Sequence, residues 1–363
     1  MVGARSSLLL AAVVALVGSG APAVAQSWFD RAACLVDAPR FDPEVYPDDR
    51  GTMITQEGAA LPAGVGRFWQ VKAPNGAVSH IWGTMHSNVP VITQLPDALQ
   101  TALRNAKTVA LEKNPLEATR IQLRARLAPG RLYGTDRGAH WANQIDPRIR
   151  TWIERRYGER HWHRANIYRL RASAVFQDLL WDTCNDFGNG ALPLQDHRIL
   201  LKGLDAGATI VGLEPQDQFH THYSEHYLQA LAGIEIYGAG LGPDDVEAKR
   251  AAQFHLYLTG QIGAMMADKR LRLDAFFGQT KSERLLETLY GWLIDDRNLR
   301  MLDAALPHLQ RGETVVAIGA FHLPGEAGIL RLLQRAGYRI ERIMIPGEVA
   351  DPPLRDFGQL VAP

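Results

Sequence analysis

Short apolar runs alternate with amphipathic stretches between residues 66 and 345, and this alternation predicts a sheet with helices packed on it. Residues 66–71 and 78–82 predict the two strands of a hairpin, because the Asn75-Gly76 pair between them is a strong turn signal. Further β-branched runs predict strands at 108–111, 208–213, 314–318 and 338–345. We therefore expect an α/β fold with a central mixed sheet, flanking helices and large helical insertions.

Helical periods fill the segments between these strands, namely 95–106, 194–206, 246–267, 281–309 and 329–336. Residues 116–185 are also helical in period and carry Trp141, Trp152, Trp162 and Trp181 among arginines and histidines. Two interpretations stay open for this region. It is either an ordinary helical layer that buries its tryptophans, or a cap over about 116–205 that lines a substrate cleft.

One short pattern occurs twice: an apolar strand that ends in Gly-x-x-His and is followed by a helix. The first copy runs from Gly83 to His86 and the second from Gly319 to His322. They predict a pseudo-repeat of two strand–loop–helix–strand units. Ligands of open α/β sheets gather at the carboxyl ends of the strands, where these histidines, Glu112 and Glu214 would lie.

The first 25 residues predict an export signal rather than part of the fold. Arg5 precedes an apolar run at 8–17, and Ala23-Val24-Ala25 forms a small-x-small cleavage site before Gln26. An uncleaved membrane anchor is the alternative. No later stretch has about 18 uninterrupted apolar residues, so we expect no membrane span in the mature chain. We expect a periplasmic or secreted protein, with residues 26–65 as an extended arm before one catalytic domain at 66–350.

Composition excludes one class of partner and suggests one covalent link. Lys plus Arg and Asp plus Glu both number 39, so no net field favours nucleic acid or an anionic membrane. The two cysteines, Cys34 and Cys184, would meet an oxidising compartment after export. We predict a disulfide between them, with two separate buried thiols as the alternative. The sequence does not indicate the oligomeric state.

Several motifs together resemble the TraB/GumN family over roughly residues 66–345. They are the two Gly-x-x-His motifs, Val109-Ala110-Leu111-Glu112, Gly212-Leu213-Glu214 with Gln218, and Asp296-Arg297-Asn298. The run from Ile318 to Gly325, followed by Gly328 and Ala336-Gly337-Tyr338, is the closest match. The family includes TIKI proteins, which resemble metal-dependent proteases, and its distant relatives are ChaN-like haem-binding proteins and erythromycin-esterase-like hydrolases.

This resemblance implies a mixed α/β core and an active site built from His86, Glu112 and His322, with Arg297 as a partner. We expect an exported metal-dependent hydrolase, a peptidase, with a peptide or small-molecule substrate. His86, His322 and Glu112 would hold Mn²⁺, Co²⁺ or Zn²⁺, and Glu112 would complete the site or take the proton of water. Arg297 would stabilise the oxyanion, and Glu214 is the second candidate catalytic carboxylate.

Other interpretations remain. A metal-free hydrolase would use the same residues, with the histidine and glutamate as general base. A non-catalytic periplasmic protein that binds haem or metal, with a ChaN-like fold, is the alternative from another class, and an interaction protein with a decayed site is the third. Lys113-Asn114 after Glu112 departs from the acidic or small polar residue common in the family, which leaves no second carboxylate ligand there.

Three weaker patterns favour structural roles. His220, His222 and His226 have a His-x-x-x-His helical spacing without an HExxH order, so we expect surface histidines, with a metal role as the alternative. His161 and His163 lie among tryptophans and arginines, so we expect them to be interfacial or exposed, with a ligand role as the alternative. The glycines at 238–242 follow no strand and precede no lysine, so they do not predict a phosphate loop. The chain has no Gly-x-Ser-x-Gly elbow, which disfavours a serine hydrolase.

Overall fold

The computed structural model describes residues 50–117, 129–134, 140–160, 162–180, 194–243 and 246–350. Its strands are β1 (Phe68–Lys72), β2 (Val78–Thr84), β3 (Thr108–Leu111), β4 (Thr209–Gly212), β5 (Thr314–Gly319) and β6 (Arg339–Arg342). The helices before β4 are α1 (Arg50–Ala60), α2 (Pro90–Thr93), α3 (Asp97–Arg104), α4 (Pro129–Leu132), α5 (Pro147–Glu159), α6 (Arg164–Ile167), α7 (Ala172–Leu179) and α8 (Gln195–Asp205). The later helices are α9 (Gln218–Glu225), α10 (Tyr227–Ala239), α11 (Val246–Leu258), α12 (Ile262–Phe277), α13 (Gln279–Tyr290), α14 (Arg297–Arg311) and α15 (Ile329–Arg335).

The six strands form one mixed sheet in the order β4-β3-β5-β2-β1-β6. The four strands from β4 to β2 are parallel, whereas β1 is antiparallel to both of its neighbours. The hairpin of β1 and β2 turns at Gly76, whose φ of 91° suits glycine. The sequence prediction of a mixed α/β fold with this hairpin is confirmed.

The two predicted repeat units run in opposite directions across the sheet. From β2 the chain crosses over β5 to reach β3, and from β5 it crosses over β2 and β1 to reach β6. Because such crossovers are right-handed, opposite directions place their helices on opposite faces. Accordingly, α3 packs with the side chains of one face and α15 with those of the other. The site at the strand ends is therefore supported from both faces.

Alternate residues of each strand supply the two cores of the sheet. Ile81, Val316 and Ile318 pack against α14 and α15, and Trp82, Val315 and Ala317 pack against α3 and α8. These side chains are almost fully buried. Packing on both faces of the sheet thus fixes the positions of the ends of β2 and β5. A site at those ends needs such fixed positions for its side chains.

A helical layer built from α5, α7, α9, α10 and α13 has its own core, which includes Trp141 and Phe176. Trp152 and Trp162 are only partly buried against this core, so the layer contains both a fully buried tryptophan and partly exposed ones. Trp181 and His161 lie outside the described residues. The part of the chain that the structure describes contains no helix that is both long and apolar enough to cross a membrane.

Three elements differ from the sequence prediction. Residues 50–60, which the sequence analysis placed in an extended arm, form the helix α1. This helix packs on α12, and Gly58 permits the close approach, because a Cβ at Gly58 would lie 2.0 Å from the Ala264 nitrogen. The helix predicted over 246–267 is broken at Gly260, which has a φ of 74°. The pattern at 281–309 contains a π-helical turn at Gly291–Asp296, directly before Arg297. The predicted signal segment and both cysteines lie outside the described residues.

Candidate active site

Four of the predicted site residues lie together at the carboxyl edge of the parallel strands. His86 follows β2 and His322 follows β5, and these neighbouring strands pair Thr84 with Gly319. Glu112 follows β3, and the Glu214 backbone N–H after β4 donates to the Glu112 carbonyl oxygen at 2.9 Å. The order of the parallel strands therefore brings side chains from distant parts of the sequence to one place.

Both glycines of the repeated motif are required by close approach. A Cβ on Gly83 would lie 2.7 Å from a methyl of Leu323, which belongs to the second motif's turn. A Cβ on Gly319 would lie 3.0 Å from Glu112 Oε1, 3.5 Å from His322 Cδ2 and 3.7 Å from His86 Nε2. The space over Gly319 is consequently the point on which the two histidines and the glutamate converge.

Glu112 is held as a carboxylate at this point. Its Oε1 accepts from the Gly319 backbone N–H at 2.6 Å, and its Oε2 accepts from Arg297 Nη2 at 2.7 Å. Burial opposes ionisation, but the charges of Arg297 and His86 and the Gly319 N–H outweigh it and hold the pKa of Glu112 well below its usual range. Glu112 is therefore anionic at any physiological pH.

Arg297 has an acceptor for every one of its N–H groups. Its Nε and Nη2 bind Glu214 in a bidentate pair at 2.7–3.0 Å, and Nη2 also binds Glu112. Its Nη1 donates to the Leu293 carbonyl at 3.1 Å and to His322 Nε2 at 3.2 Å. Although burial disfavours the charge, the two carboxylates raise the pKa of Arg297 above its usual value. This cation balances two buried anions.

His322 is fixed in one tautomer by a chain of hydrogen bonds. Asn298 Nδ2 donates to the Ala327 carbonyl at 2.8 Å, which leaves Asn298 Oδ1 to accept from His322 Nδ1 at 2.8 Å. The other nitrogen, Nε2, accepts from Arg297. Burial and the nearby guanidinium lower the pKa of His322 to about 3, so the ring is neutral.

His86 has the opposite environment. Its Nδ1 lies 3.0 Å from Asp196 Oδ2, whose other oxygen accepts from the Thr84 hydroxyl at 2.9 Å. The charge of Asp196 raises the pKa of His86 to about 9 despite the opposing effect of burial, and Glu112 adds to the rise. The side chain remains 47% exposed, so a substrate can reach it. His86 and Asp196 form a dyad whose Nε2 faces the space over Gly319.

Sequence reasoning missed Asp196, because it interpreted residues 194–206 only as an amphipathic helix. An acidic residue in the first turn of a helix is ordinarily explained by the helix dipole, so the sequence held no separate signal. Its neighbour Gln195 shows why the pairing occurs. Gln195 Oε1 accepts from the Met85 backbone N–H at 3.1 Å and from the Tyr257 hydroxyl at 2.8 Å, which ties the start of α8 to the first Gly-x-x-His turn.

The predicted metal ligands do not form a metal-binding group in this arrangement. Glu112 Oε1 and His86 Nε2 both border the space over Gly319, and His322 Nε2, 3.8 Å from Glu112 Oε1, accepts a hydrogen bond from Arg297 Nη1. A divalent cation bound to His322 would also have to displace the guanidinium. Among the described residues, no cluster of three or more His, Cys, Asp or Glu side chains has the spacing to hold a metal ion.

The other histidines that the sequence singled out have structural contacts. The His222 ring stacks between the rings of His226 at 4.0 Å and Trp292 at 3.7 Å. His220 contacts the Ser224 hydroxyl at 3.4 Å, and His163 accepts from the Ala165 backbone N–H at the start of α6. The prediction of surface histidines holds only for His226, which is exposed, whereas His220 is buried and His222 is half-buried because they pack in the helical layer.

The fold and site define a class of α/β protein with a buried network of two glutamates, an arginine and a histidine beside an exposed His–Asp dyad. The chain belongs to the TraB/PrgY/gumN family, whose model matches residues 67–342 and so covers the sheet and every site residue. A comparison with curated proteins and one with solved structures found no match. The sequence-based assignment to this family is confirmed.

Proposed function

We propose that this protein is an exported hydrolase that acts on peptide bonds, with His86 as its acid–base residue. The single observation that carries the proposal is the His86–Asp196 dyad, which leaves Nε2 free beside Glu112 at an accessible edge of the sheet. A histidine oriented by a carboxylate is a recurrent arrangement in general acid–base catalysis. The export part of the proposal rests on the predicted signal segment alone.

In the proposed reaction, a water molecule lies over Gly319 between His86 Nε2 and Glu112 Oε1. Neutral His86 takes a proton from this water as its oxygen bonds to the scissile carbonyl carbon. The same proton then passes to the leaving amine when the C–N bond breaks. Glu112 orients the water as a hydrogen-bond acceptor, because its strongly lowered pKa makes it a poor proton acceptor.

Arg297, Glu214 and His322 support this reaction as positioning residues. All N–H groups of Arg297 already have acceptors, so stabilising an oxyanion, the role the sequence suggested, would require it to leave one of its partners. Its contacts instead fix Glu112 Oε2 and thereby aim Oε1 at the water. Glu214 lies 2% exposed behind Arg297, where it supplies charge balance rather than contact with substrate.

The metal that the sequence predicts is not needed for these steps. The fit of the donors argues against a three-ligand site in this arrangement, and no step above is routed through a metal. The Mn²⁺, Co²⁺ or Zn²⁺ prediction therefore stays a prediction that metal analysis decides. The haem-binding alternative likewise stays a prediction, and a Soret absorption band in the purified protein would support it.

The proposed function is tested by incubating the purified chain with a defined peptide mixture in ¹⁸O-labelled water at pH 9. Hydrolysis is expected to generate new carboxyl termini that each gain one labelled oxygen, detectable by mass spectrometry. The alkaline pH keeps a useful fraction of His86 neutral, given its raised pKa. If the protein binds peptides without generating labelled termini, the hydrolase proposal is wrong.

A further inference from the structure

Gln195 of α8 holds the first Gly-x-x-His turn at two points, one on either side of His86. Its Oε1 accepts from the Met85 backbone N–H, and its own backbone N–H donates to the Ser87 carbonyl, both at 3.1 Å. The next residue, Asp196, binds His86 itself. The geometry of the His86–Asp196 dyad therefore depends on how firmly Gln195 is held against this turn.

The Gln195 amide is held in turn by Tyr257 from α11. The Tyr257 hydroxyl lies 2.8 Å from Gln195 Oε1 and 2.8 Å from the carbonyl oxygen of Gly83, the first residue of the motif. Both neighbours are acceptors, so they share the one phenol proton, which joins α8 to the end of β2. Burial raises the pKa of Tyr257 to about 12, so the phenol keeps this proton at physiological pH. Gln195 Nε2 donates to the Ile92 carbonyl, which fixes the end of the amide that faces Tyr257.

Arg67 fixes the position of the Tyr257 ring. Its guanidinium carbon lies 4.8 Å from the ring centroid, Nη2 donates to the Leu258 carbonyl at 3.0 Å, and Nε donates to Glu348 at 2.8 Å. Arg67, Tyr257 and Gln195 are all at most 3% exposed. A buried guanidinium that is both paired and stacked on a ring holds that ring in one place. The phenol hydroxyl thus reaches the turn from a rigid support.

From these contacts we propose that Tyr257 is a positioning residue for the His86–Asp196 dyad and that it acts through Gln195. Tyr257 is fully buried, so it supports the dyad without touching a substrate. Loss of its hydroxyl would remove the donor that Gln195 Oε1 and the Gly83 carbonyl share, which would let the turn move against α8. The catalytic meaning of this role rests on the proposed function, whereas its effect on the His86 ring does not.

The test compares Tyr257→Phe with Tyr338→Phe, in which a buried tyrosine also loses only its hydroxyl. Tyr338 precedes β6, whose first residue aligns through β1 with the first residue of β2, so it lies at the opposite edge of the sheet from His86. Neutral His86 in the wild type should carry its proton on Nδ1, because this nitrogen donates to Asp196. Long-range ¹H–¹⁵N spectra at pH 10 distinguish the two ring nitrogens, and the His86 signals are those absent from His86→Gln. Tyr257→Phe should convert neutral His86 to a mixture of both tautomers, whereas Tyr338→Phe should keep the Nδ1–H form.

Kinetics and a double variant test the route of the effect. In peptide hydrolysis, Tyr257→Phe should lower kcat roughly 10- to 100-fold with KM little changed, because a small misplacement of the base slows the reaction without weakening substrate binding. Gln195→Met removes the amide through which Tyr257 acts, so it should give the same mixture of His86 tautomers. Adding Tyr257→Phe to Gln195→Met should then change neither the His86 spectrum nor kcat any further.

The outcomes separate this proposal from the hydrolase proposal. A wild-type tautomer in Tyr257→Phe or Gln195→Met, shown by circular dichroism to be folded, would overturn the positioning role. An equal change in Tyr338→Phe, or effects that add in the double variant, would overturn it as well. A tautomer change in Tyr257→Phe without hydrolysis by the wild type would support the positioning role and count against the hydrolase proposal alone.

Discussion

Replacing Arg297 by methionine tests whether the guanidinium balances the buried charges of the site. The variant leaves Glu112 and Glu214, which are 14% and 2% exposed in their side chains, without their cation. Removing one partner of a buried ion pair typically costs about 3–5 kcal/mol, because the remaining charge stays desolvated. Since one cation here serves two carboxylates, we expect a loss in the upper part of that range.

Urea unfolding followed by tryptophan fluorescence at pH 7 measures this loss. Arg335→Met is the matched control, because Arg335 pairs with Glu326 on the surface, where both side chains are more than half exposed. Such a pair contributes at most about 1 kcal/mol. Without Arg297 to oppose it, burial should raise the pKa of Glu112, so the deficit of Arg297→Met should shrink from pH 7 to pH 5 as that carboxylate takes up a proton. A loss no larger than the control's, or one that does not shrink in acid, would refute the charge-balance account.

Three further predictions concern protons and metal. Asp196 carries the charge that raises the pKa of His86 to about 9, and Asp196→Asn removes it. The rising limb of the kcat/KM–pH profile should therefore move more than one pH unit toward neutral. A limb that does not move would argue against His86 as the base. Because the pKa of His322 falls to about 3 on folding, the unfolded state binds its proton first, so wild-type stability should decline as pH falls from about 6.5 toward 3. His322→Gln should flatten that part of the stability–pH curve, and parallel curves for the two proteins would contradict the buried neutral ring. Metal analysis after dialysis should find less than one Mn²⁺, Co²⁺ or Zn²⁺ per chain in both wild type and His322→Ala, whereas a stoichiometric metal lost in His322→Ala would support the three-ligand site instead.

The sequence predicted the sheet and the edge at which the site lies, because both depend on local patterns. β3 was predicted residue for residue, and β5 to within one residue of its end. Each Gly-x-x-His motif follows a strand, so parallel pairing alone brings His86 and His322 to the same edge. The convergence of Glu112 with them follows from the same rule.

The partners of these residues were not predictable from local pattern. Asp196 lies 110 positions from His86 and meets it only because Gln195 ties α8 to the first motif's turn. Asn298 follows Arg297 in a helix, where its role in fixing the tautomer of His322 depends on the Ala327 carbonyl. The helix break at Gly260 and the π-helical turn were also not predicted, because the helical periodicity of the sequence continues through both of them. Long-range contacts, which periodicity does not encode, decide these features.

Loss of His86 tests the central claim most directly. Wild type, His86→Ala and His226→Ala would be compared for peptide hydrolysis at pH 9, where His226 serves as control because it is an exposed histidine outside the site. The account predicts that His86→Ala loses at least about 100-fold in kcat/KM, the lower end of what general acid–base catalysis contributes, while His226→Ala keeps wild-type activity. Hydrolysis that persists unchanged in His86→Ala would contradict it.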